Sequence, residues 1–190
     1  MSARAVGHRF EDPDDPPADP ESVARRIALD LLTAAPRTRA QLAVAMAKRG
    51  VPDDVATQVL DRFTEVGLID DAAFAAAWVR SRQPRRGLAP RALARELRDK
   101  GVAEPVVVEA IAAVDRDDVE STARTLARRK ARASVGLPTE VRVRRLAGML
   151  ARKGYPSDVA LRAVRDVLAE EQLDVADEFA EQVADQVAGG

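Results

Sequence analysis

The chain has 190 residues, no cysteine, one histidine and only 3% aromatic residues, and its 30 basic and 31 acidic side chains leave a net charge of −1. These figures exclude disulfides, thiol chemistry and zinc held by Cys or His, and no apolar run approaches the ~20 residues of a membrane span. The histidine, His8, stands in the N-terminal segment, so the body of the chain has none for acid–base or triad chemistry.

Residues 1–21 set Arg4 and Arg9 against Glu11, Asp12, Asp14, Asp15, Asp19 and Glu21, a net −4, with Pro13, Pro16, Pro17 and Pro20 among them. Such a segment buries no core and is expected to be disordered. Three related units follow, at 22–69, 70–115 and 116–170. Each holds one copy of a short fragment: Lys48-Arg49-Gly50-Val51-Pro52-Asp53-Asp54-Val55, Asp99-Lys100-Gly101-Val102-Ala103-Glu104-Pro105-Val106 and Arg152-Lys153-Gly154-Tyr155-Pro156-Ser157-Asp158-Val159. The glycines are 51 and 53 residues apart. Eight residues before them stand Leu42, Leu93 and Leu146, and four before them Met46, Leu97 and Leu150. Five after come Val55, Val106 and Val159; ten after, Leu60, Ile111 and Val164; thirteen after, Phe63, Val114 and Val167. A period near fifty marks one supersecondary unit used three times.

Each unit reads as helices. The residues at −8 and −4 share one helical face, as do those at +10 and +13 on the next helix. The glycine between them suits a left-handed C-cap behind a basic residue, and the proline that follows suits the first turn of the next helix. An amphipathic segment ahead of each pair supplies a third helix: Val23 to Ala34, Phe74 to Arg82 and Val119 to Ala133. Asp53-Asp54, Asp70-Asp71 and Asp117-Asp118 fall at helix starts, where capping accounts for them. Val106-Val107-Val108 is β-prone, but a strand there would interrupt the repeat, so it reads as helix. The expected fold is all-α, nine helices in three tandem three-helix repeats forming an elongated rod, flanked by acidic termini. The segment 171–190 is the second of these termini, to which Leu173, Val175, Phe179 and Val183 lend some helical character.

Residues 169–190 hold seven carboxylates and no base, so the repeats at 22–168 carry a net +10. That excess is clustered. One cluster is Arg80, Arg82, Arg85, Arg86, Arg91, Arg95, Arg98 and Lys100, relieved by Glu96 and Asp99. A second is Arg124, Arg128, Arg129, Lys130 and Arg132, followed by Arg142, Arg144 and Arg145. Arg124, Arg128 and Arg132 recur every four residues and line one helical stripe. Carboxylates at i+4, the mark of ordinary surface pairing, are largely missing, and an unbalanced stripe points to an external polyanion: phosphates or an acidic protein surface. Phe74 and Trp78, four apart, fit the apolar face of their helix and read as core rather than as a platform for bases. Gly87 and Gly101 are isolated, with no phosphate loop around them. The chain reads as a non-enzyme with no cofactor and no small-molecule substrate, soluble, off the membrane and cytoplasmic.

The middle of the chain carries a resemblance. It rests on Gly67-Leu68-Ile69-Asp70-Asp71-Ala72-Ala73-Phe74-Ala75, then Trp78-Val79-Arg80-Ser81-Arg82, then Arg86-Gly87-Leu88-Ala89-Pro90-Arg91-Ala92-Leu93, then Glu96-Leu97-Arg98-Asp99-Lys100-Gly101-Val102. In order and spacing these resemble the signature of the RecX family, bacterial regulators of the RecA recombinase, and the likeness extends over about residues 22–168. Leu68 stands where that family more often has an aromatic. The resemblance implies a protein that binds along the RecA filament on single-stranded DNA and inhibits its ATPase, strand-exchange and co-protease activities in DNA repair and the SOS response. Asp71, Phe74, Arg82, Gly87, Leu97, Lys100 and Gly101 match the signature. Phe74 and Leu97 are packing positions, Gly87 and Gly101 turns, and Arg82 and Lys100 candidates for contact. The expected contact residues are Arg80, Arg82, Arg85, Arg86, Lys100, Arg124, Arg128, Arg129, Lys130 and Arg132, with weak, electrostatic binding to single-stranded DNA.

Two other readings compete. Thr38 to Asp70 resembles a winged-helix unit, with Glu65-Val66-Gly67-Leu68-Ile69 starting the wing, which would suit a sequence-specific DNA-binding regulator. Its second helix, however, offers Asp53, Asp54 and Asp61 against Arg62, a poor match to a phosphate-lined groove. The other reading is a helical-repeat scaffold for an acidic protein partner.

Overall fold

The computed structural model describes the backbone of residues 19–188 and the side chains of residues 19–174. The sequence reading of residues 1–18 lies outside the described residues. Among those described there are nine α-helices, one 3-10 turn and no strand, and the chain divides into two compact units at Asp70.

The first unit holds α1 (Pro20–Ala34), α2 (Arg39–Ala47) and α3 (Asp53–Glu65). Helix α1 starts three residues earlier than predicted because the Asp19 side chain accepts from the Ser22 N–H, with Pro20 in the first turn. Helix α2 starts with a reciprocal box. The Gln41 N–H donates to Thr38 Oγ1 and the Thr38 N–H to Gln41 Oε1, each at 3.2 Å. The core joins Ile27, Leu42, Met46, Val59, Leu60, Phe63 and Ile69.

The second unit contains the other two repeats: α4 (Asp71–Arg86), α5 (Pro90–Asp99), α6 (Glu104–Ala112), α7 (Arg116–Ala131), the 3-10 turn Arg132–Ser134, α8 (Thr139–Arg152) and α9 (Ser157–Ala188). The valine run lies in α6, as predicted. Helix α4 continues one turn past the predicted Arg82, through Pro84, and ends where Gly87 turns left-handed (φ +57°) with its N–H on the Gln83 carbonyl. Helix α9 runs without a break into the C-terminal segment, which is therefore not a separate element.

The predicted glycine turns share one hydrogen-bond pattern. Gly50, Gly101 and Gly154 have φ of +74°, +76° and +88°. The N–H groups of Val51, Val102 and Tyr155 reach back to the carbonyls of Met46, Leu97 and Leu150 at 3.1–3.2 Å. Those of the glycines bond to Ala47, Arg98 and Ala151. This is the six-to-one, five-to-two closure that satisfies the last carbonyls of a helix and requires a left-handed residue. The side chains at −8 and −4 are buried in every copy, each at most 1% exposed. The prolines differ from expectation. Pro105 lies in a first turn, but Pro52 caps α3 from outside and Pro156 precedes α9. The acid pairs differ too. Asp117 and Asp118 lie in the first turn of α7, and the cap is Asp115, which accepts from the Asp117 N–H at 2.7 Å. Asp53 and Asp54 occupy the first turn of α3 with no side-chain capping bond, so their charge acts on the helix dipole.

Repeats two and three are joined around the Gly87 and Gly154 turns. The Ala89 N–H donates to the Lys153 carbonyl (2.9 Å), Tyr155 Oη to the Gly87 carbonyl (3.2 Å) and Lys153 Nζ to the Arg86 carbonyl. Burial pushes the Tyr155 phenol up to about 12, so it stays protonated as a donor. A Cβ on Gly154 would lie 2.6 Å from the Ala92 nitrogen, whereas one on Gly50 would meet nothing within 4 Å. Gly50→Ala should therefore cost about 1 kcal/mol, the left-handed penalty alone. Gly154→Ala adds a backbone clash and should lower the melting temperature by clearly more. Equal shifts in paired thermal melts would refute the tight joint.

Candidate interaction surface

Repeat two carries the first cluster of candidate residues. Arg80, Arg82, Arg85 and Arg86 lie along the C-terminal half of α4, and Lys100 caps the end of α5. At their centre is Trp78, which is half-buried at the rim of the core formed by Val79, Leu93, Leu97, Val102 and Val107. Its ring stacks on Phe74, with centroids 5.8 Å apart and planes 15° from parallel. Its Nε1–H donates to Glu96 Oε2 at 2.8 Å, which ties α4 to α5. The Arg82 guanidinium carbon and Lys100 Nζ each stand 4.1 Å from the ring centroid, in cation–π contact. Glu96 Oε1 lies 3.9 Å from Arg86, a loose pair with Arg86 largely exposed. Arg80 and Arg85 are exposed and form no ion pair with a described residue. The core reading of Trp78 therefore holds in part: the half-buried ring packs against the core and also carries charged neighbours. Elsewhere on α5, Arg98 forks onto Glu104 at 2.6 and 2.7 Å. Hydrogen bonding to Arg98 holds the Glu104 carboxyl below its ordinary range.

The second cluster is not the bare stripe that its sequence suggests. Arg124 meets Asp166 at 2.8 Å and Arg128 meets Glu170 at 2.5 Å, both carboxylates coming from α9. One turn earlier the polarity reverses, with Glu120 3.5 Å from Arg162. Each of these pairs is separated by 42 residues, so α7 and α9 run parallel and in register, rung on rung. Arg142 of α8 adds a pair with Glu171 at 2.5 Å and also donates to Ser134 Oγ and the Ala131 carbonyl. Hydrogen bonding to Glu170 pushes Arg128 further up. The expectation that this stripe lacks acids is thus corrected. The missing i+4 carboxylates are supplied from another helix, a contact invisible to a search along α7. The sequence did hold a signal: Glu120, Arg124 and Arg128 are matched in sign and spacing by Arg162, Asp166 and Glu170.

Arg129, Lys130 and Arg132 are exposed and form no ion pair with a described residue. Arg132 lies beyond the end of α7, in the 3-10 turn. It borders a cleft of about 510 Å³ that Arg128, Arg142, Glu170, Glu171 and Asp174 also line, so both signs of charge face the space.

Exposed pairs such as Arg124–Asp166 stabilise by about 0.2–1 kcal/mol. Arg124→Glu should lower the melting temperature slightly, and adding Asp166→Arg should restore it. A double-mutant cycle with no coupling would show that this rung contributes nothing.

The wing does not form. Glu65 ends α3, Gly67 is left-handed (φ +74°), and the Leu68 and Ile69 N–H groups bond back to the Phe63 carbonyl at 2.8 and 3.1 Å. The segment is a helix C-cap of the same kind as the repeat turns. Among the described residues no group of three or more His, Cys, Asp or Glu could hold a metal ion, and no helix is long and apolar enough to cross a membrane.

Comparison with known proteins agrees with the three-part division. Family models described as the first, second and third three-helix domains of RecX match residues 24–63, 70–111 and 117–164. The chain is 57% identical over 160 residues to the regulatory protein RecX of Streptomyces coelicolor, covering 84% of this chain and 85% of that one. To the regulatory protein RecX of Thermobifida fusca it is 55% identical over 168 residues, covering 85% and 91%. Among solved structures, RecX from Lactobacillus salivarius superposes with a TM-score of 0.74 at 19% identity, over 80% of this chain and 98% of that one. A second RecX crystal structure gives 0.71 at 26% identity, over 78% and 73%.

Proposed function

Because the chain belongs to the RecX family, we propose that it is a non-enzymatic regulator that binds the RecA filament on single-stranded DNA and inhibits its ATPase, strand-exchange and co-protease activities. The observation that carries this reading is family membership across all three repeats at more than half sequence identity. The charge distribution supports it: repeat two keeps a cluster of cations with few carboxylates, on helices tied together by Trp78 and Glu96. The contact surface is that cluster, Arg80, Arg82, Arg85, Arg86 and Lys100, joined by Arg129, Lys130 and Arg132. Arg124 and Arg128 are engaged internally by carboxylates of α9. The wing needed by a sequence-specific reader is replaced by a helix cap.

The test is titration of the protein into RecA filaments assembled on single-stranded DNA. ATP hydrolysis and strand exchange should both fall as it is added. Unchanged rates at saturating protein would overturn the proposal, and tight binding to one DNA sequence that survives high salt would replace it with a sequence-specific regulator.

A further inference from the structure

The residues that follow α4 are held from the neighbouring repeat. Leu88 packs on the core of repeat two, but Ala89, 1% exposed, belongs to the core of repeat three with Ala123, Leu126 and Tyr155. Three hydrogen bonds fix this stretch to the single turn at 153–155. Lys153 Nζ donates to the Arg86 carbonyl, Tyr155 Oη donates to the Gly87 carbonyl at 3.2 Å, and the Ala89 N–H donates to the Lys153 carbonyl at 2.9 Å. Leu126 of α7 closes on the same stretch, for a Cβ on Gly87 would lie 2.7 Å from Leu126 Cδ1. Arg129 and Lys130 stand three and four residues after Leu126, one helical turn from that contact. Both are exposed, and so is Arg85 at the end of α4. None of these three forms an ion pair with a described residue. Arg86 differs: its guanidinium pairs loosely with Glu96 at 3.9 Å, and what it gives the joint is its carbonyl.

We propose that the seam between repeats two and three is one binding site for the backbone of a single-stranded nucleic acid, with Tyr155 and Lys153 as its positioning residues. They hold the end of α4 against α7, so that Arg85 meets the same strand as Arg129 and Lys130. Tyr155 is 4% exposed and uncharged, so it acts through the carbonyl it bonds and touches no ligand. A strand carries one charge at every nucleotide and bends to follow cations set by different helices. Carboxylates on a folded surface have no such even spacing. Fixing the end of α4 before the strand arrives reduces the ordering cost of binding. Recognition through phosphates alone carries no sequence preference. This inference rests on the regulatory reading above for its choice of nucleic acid, but the joint is a property of this chain alone.

Binding of a labelled oligodeoxythymidylate to the intact protein, followed by anisotropy, tests the site. Arg85→Gln and Lys130→Gln should each weaken it about three- to tenfold and reduce the slope of log affinity against log salt by about 0.7, one phosphate contact apiece. Tyr155→Phe removes a hydroxyl and no charge. It should still weaken binding about threefold and flatten the salt slope, in protein that circular dichroism shows to be folded at the assay temperature. In a double-mutant cycle, Tyr155→Phe/Arg85→Gln should bind no worse than Arg85→Gln alone, because the tyrosine acts through that arginine. A merely structural tyrosine would leave the salt slope of the folded protein unchanged, and its effect would add to that of Arg85→Gln. If Tyr155→Phe does not fold, Lys153→Met takes its place in the same cycle, and Lys153→Arg, which keeps a donor, should restore binding. The inference is overturned by any of three outcomes: no oligonucleotide binding, additive effects in the cycle, or a folded Tyr155→Phe that binds like the parent. Polyglutamate bound in place of the oligonucleotide would also overturn it and assign the seam to an acidic protein surface. RecA inhibition by the parent with additive variants would remove this site and leave the regulatory reading. Coupled variants without RecA inhibition would do the reverse.

Discussion

Leu97→Ala should destabilise the second unit by about 2–5 kcal/mol, the range for deleting a fully buried leucine in a core that cannot collapse around the space. Leu97 is completely buried among Ala75, Val79, Leu93, Val102 and Val107. Its carbonyl also receives the Val102 N–H that closes the Gly101 turn, so a local shift would disturb the helix end that carries Lys100. Urea or thermal unfolding followed by circular dichroism gives the value. Val108→Ala, at a side chain 57% exposed in the same repeat, should change stability by no more than about 0.5 kcal/mol. A Leu97→Ala protein that melts like the parent would show that the −4 position does not anchor the repeat.

The largest functional effect is expected from Arg82→Glu/Arg86→Glu. Arg86 is exposed, and Arg82 is half-buried against the Trp78 ring. Reversal places two negative charges among Arg80, Arg85 and Lys100, and an attractive surface becomes largely self-compensated. Co-sedimentation with RecA filaments should fall at least tenfold while circular dichroism stays unchanged. Where residual binding to single-stranded DNA is measurable, the slope of log affinity against log salt should drop by roughly 1.4, about 0.7 for each phosphate no longer neutralised. Arg124→Gln/Arg128→Gln should behave differently, with a lower melting temperature and filament binding reduced by no more than about twofold. The opposite ranking would return Arg124 and Arg128 to the contact surface.

The contrast between these variants shows what could be read from the sequence. The three glycine turns were legible because each is a six-residue event, with an apolar anchor at −4, a glycine with positive φ and a carbonyl closed from the next residue. Leu42, Leu93 and Leu146 followed from the same register. The identities of some caps were missed: Thr38 with Gln41 has the pattern of a capping box, and Asp115 stands two residues before the acid that accepts no capping bond. The extent of α9 was masked by its acidic composition, which resembles a tail until Asp166, Glu170 and Glu171 are seen facing arginines. In repeat two the packing of Trp78 and Phe74 against the core was legible, but the cations that flank the Trp78 ring were not. Its spacing from Phe74 matches a core stripe, and the cations beside it come from the next turn and from another helix. Local chemistry was readable, and pairings between helices were not.

The constant offset of 42 residues between α7 and α9 also has a consequence in time. A ribosome adds roughly 5–20 residues per second, so Arg124 and Arg128 wait about 2–8 s for Asp166 and Glu170 to be made. Helix α7, with 16 residues, is barely longer than the ~12–15 below which a lone helix is marginal in water, and most of its stability comes from packing on its partners. The third repeat therefore closes last, after the turns of the first two have formed from nearby residues. In that interval the nascent chain carries an arginine row whose charge the finished protein pairs with carboxylates, beside a ribosome made largely of RNA. The parallel ladder thus fixes an order of assembly as well as a register, and it makes the unfinished chain a stronger ligand for polyanions than the complete one.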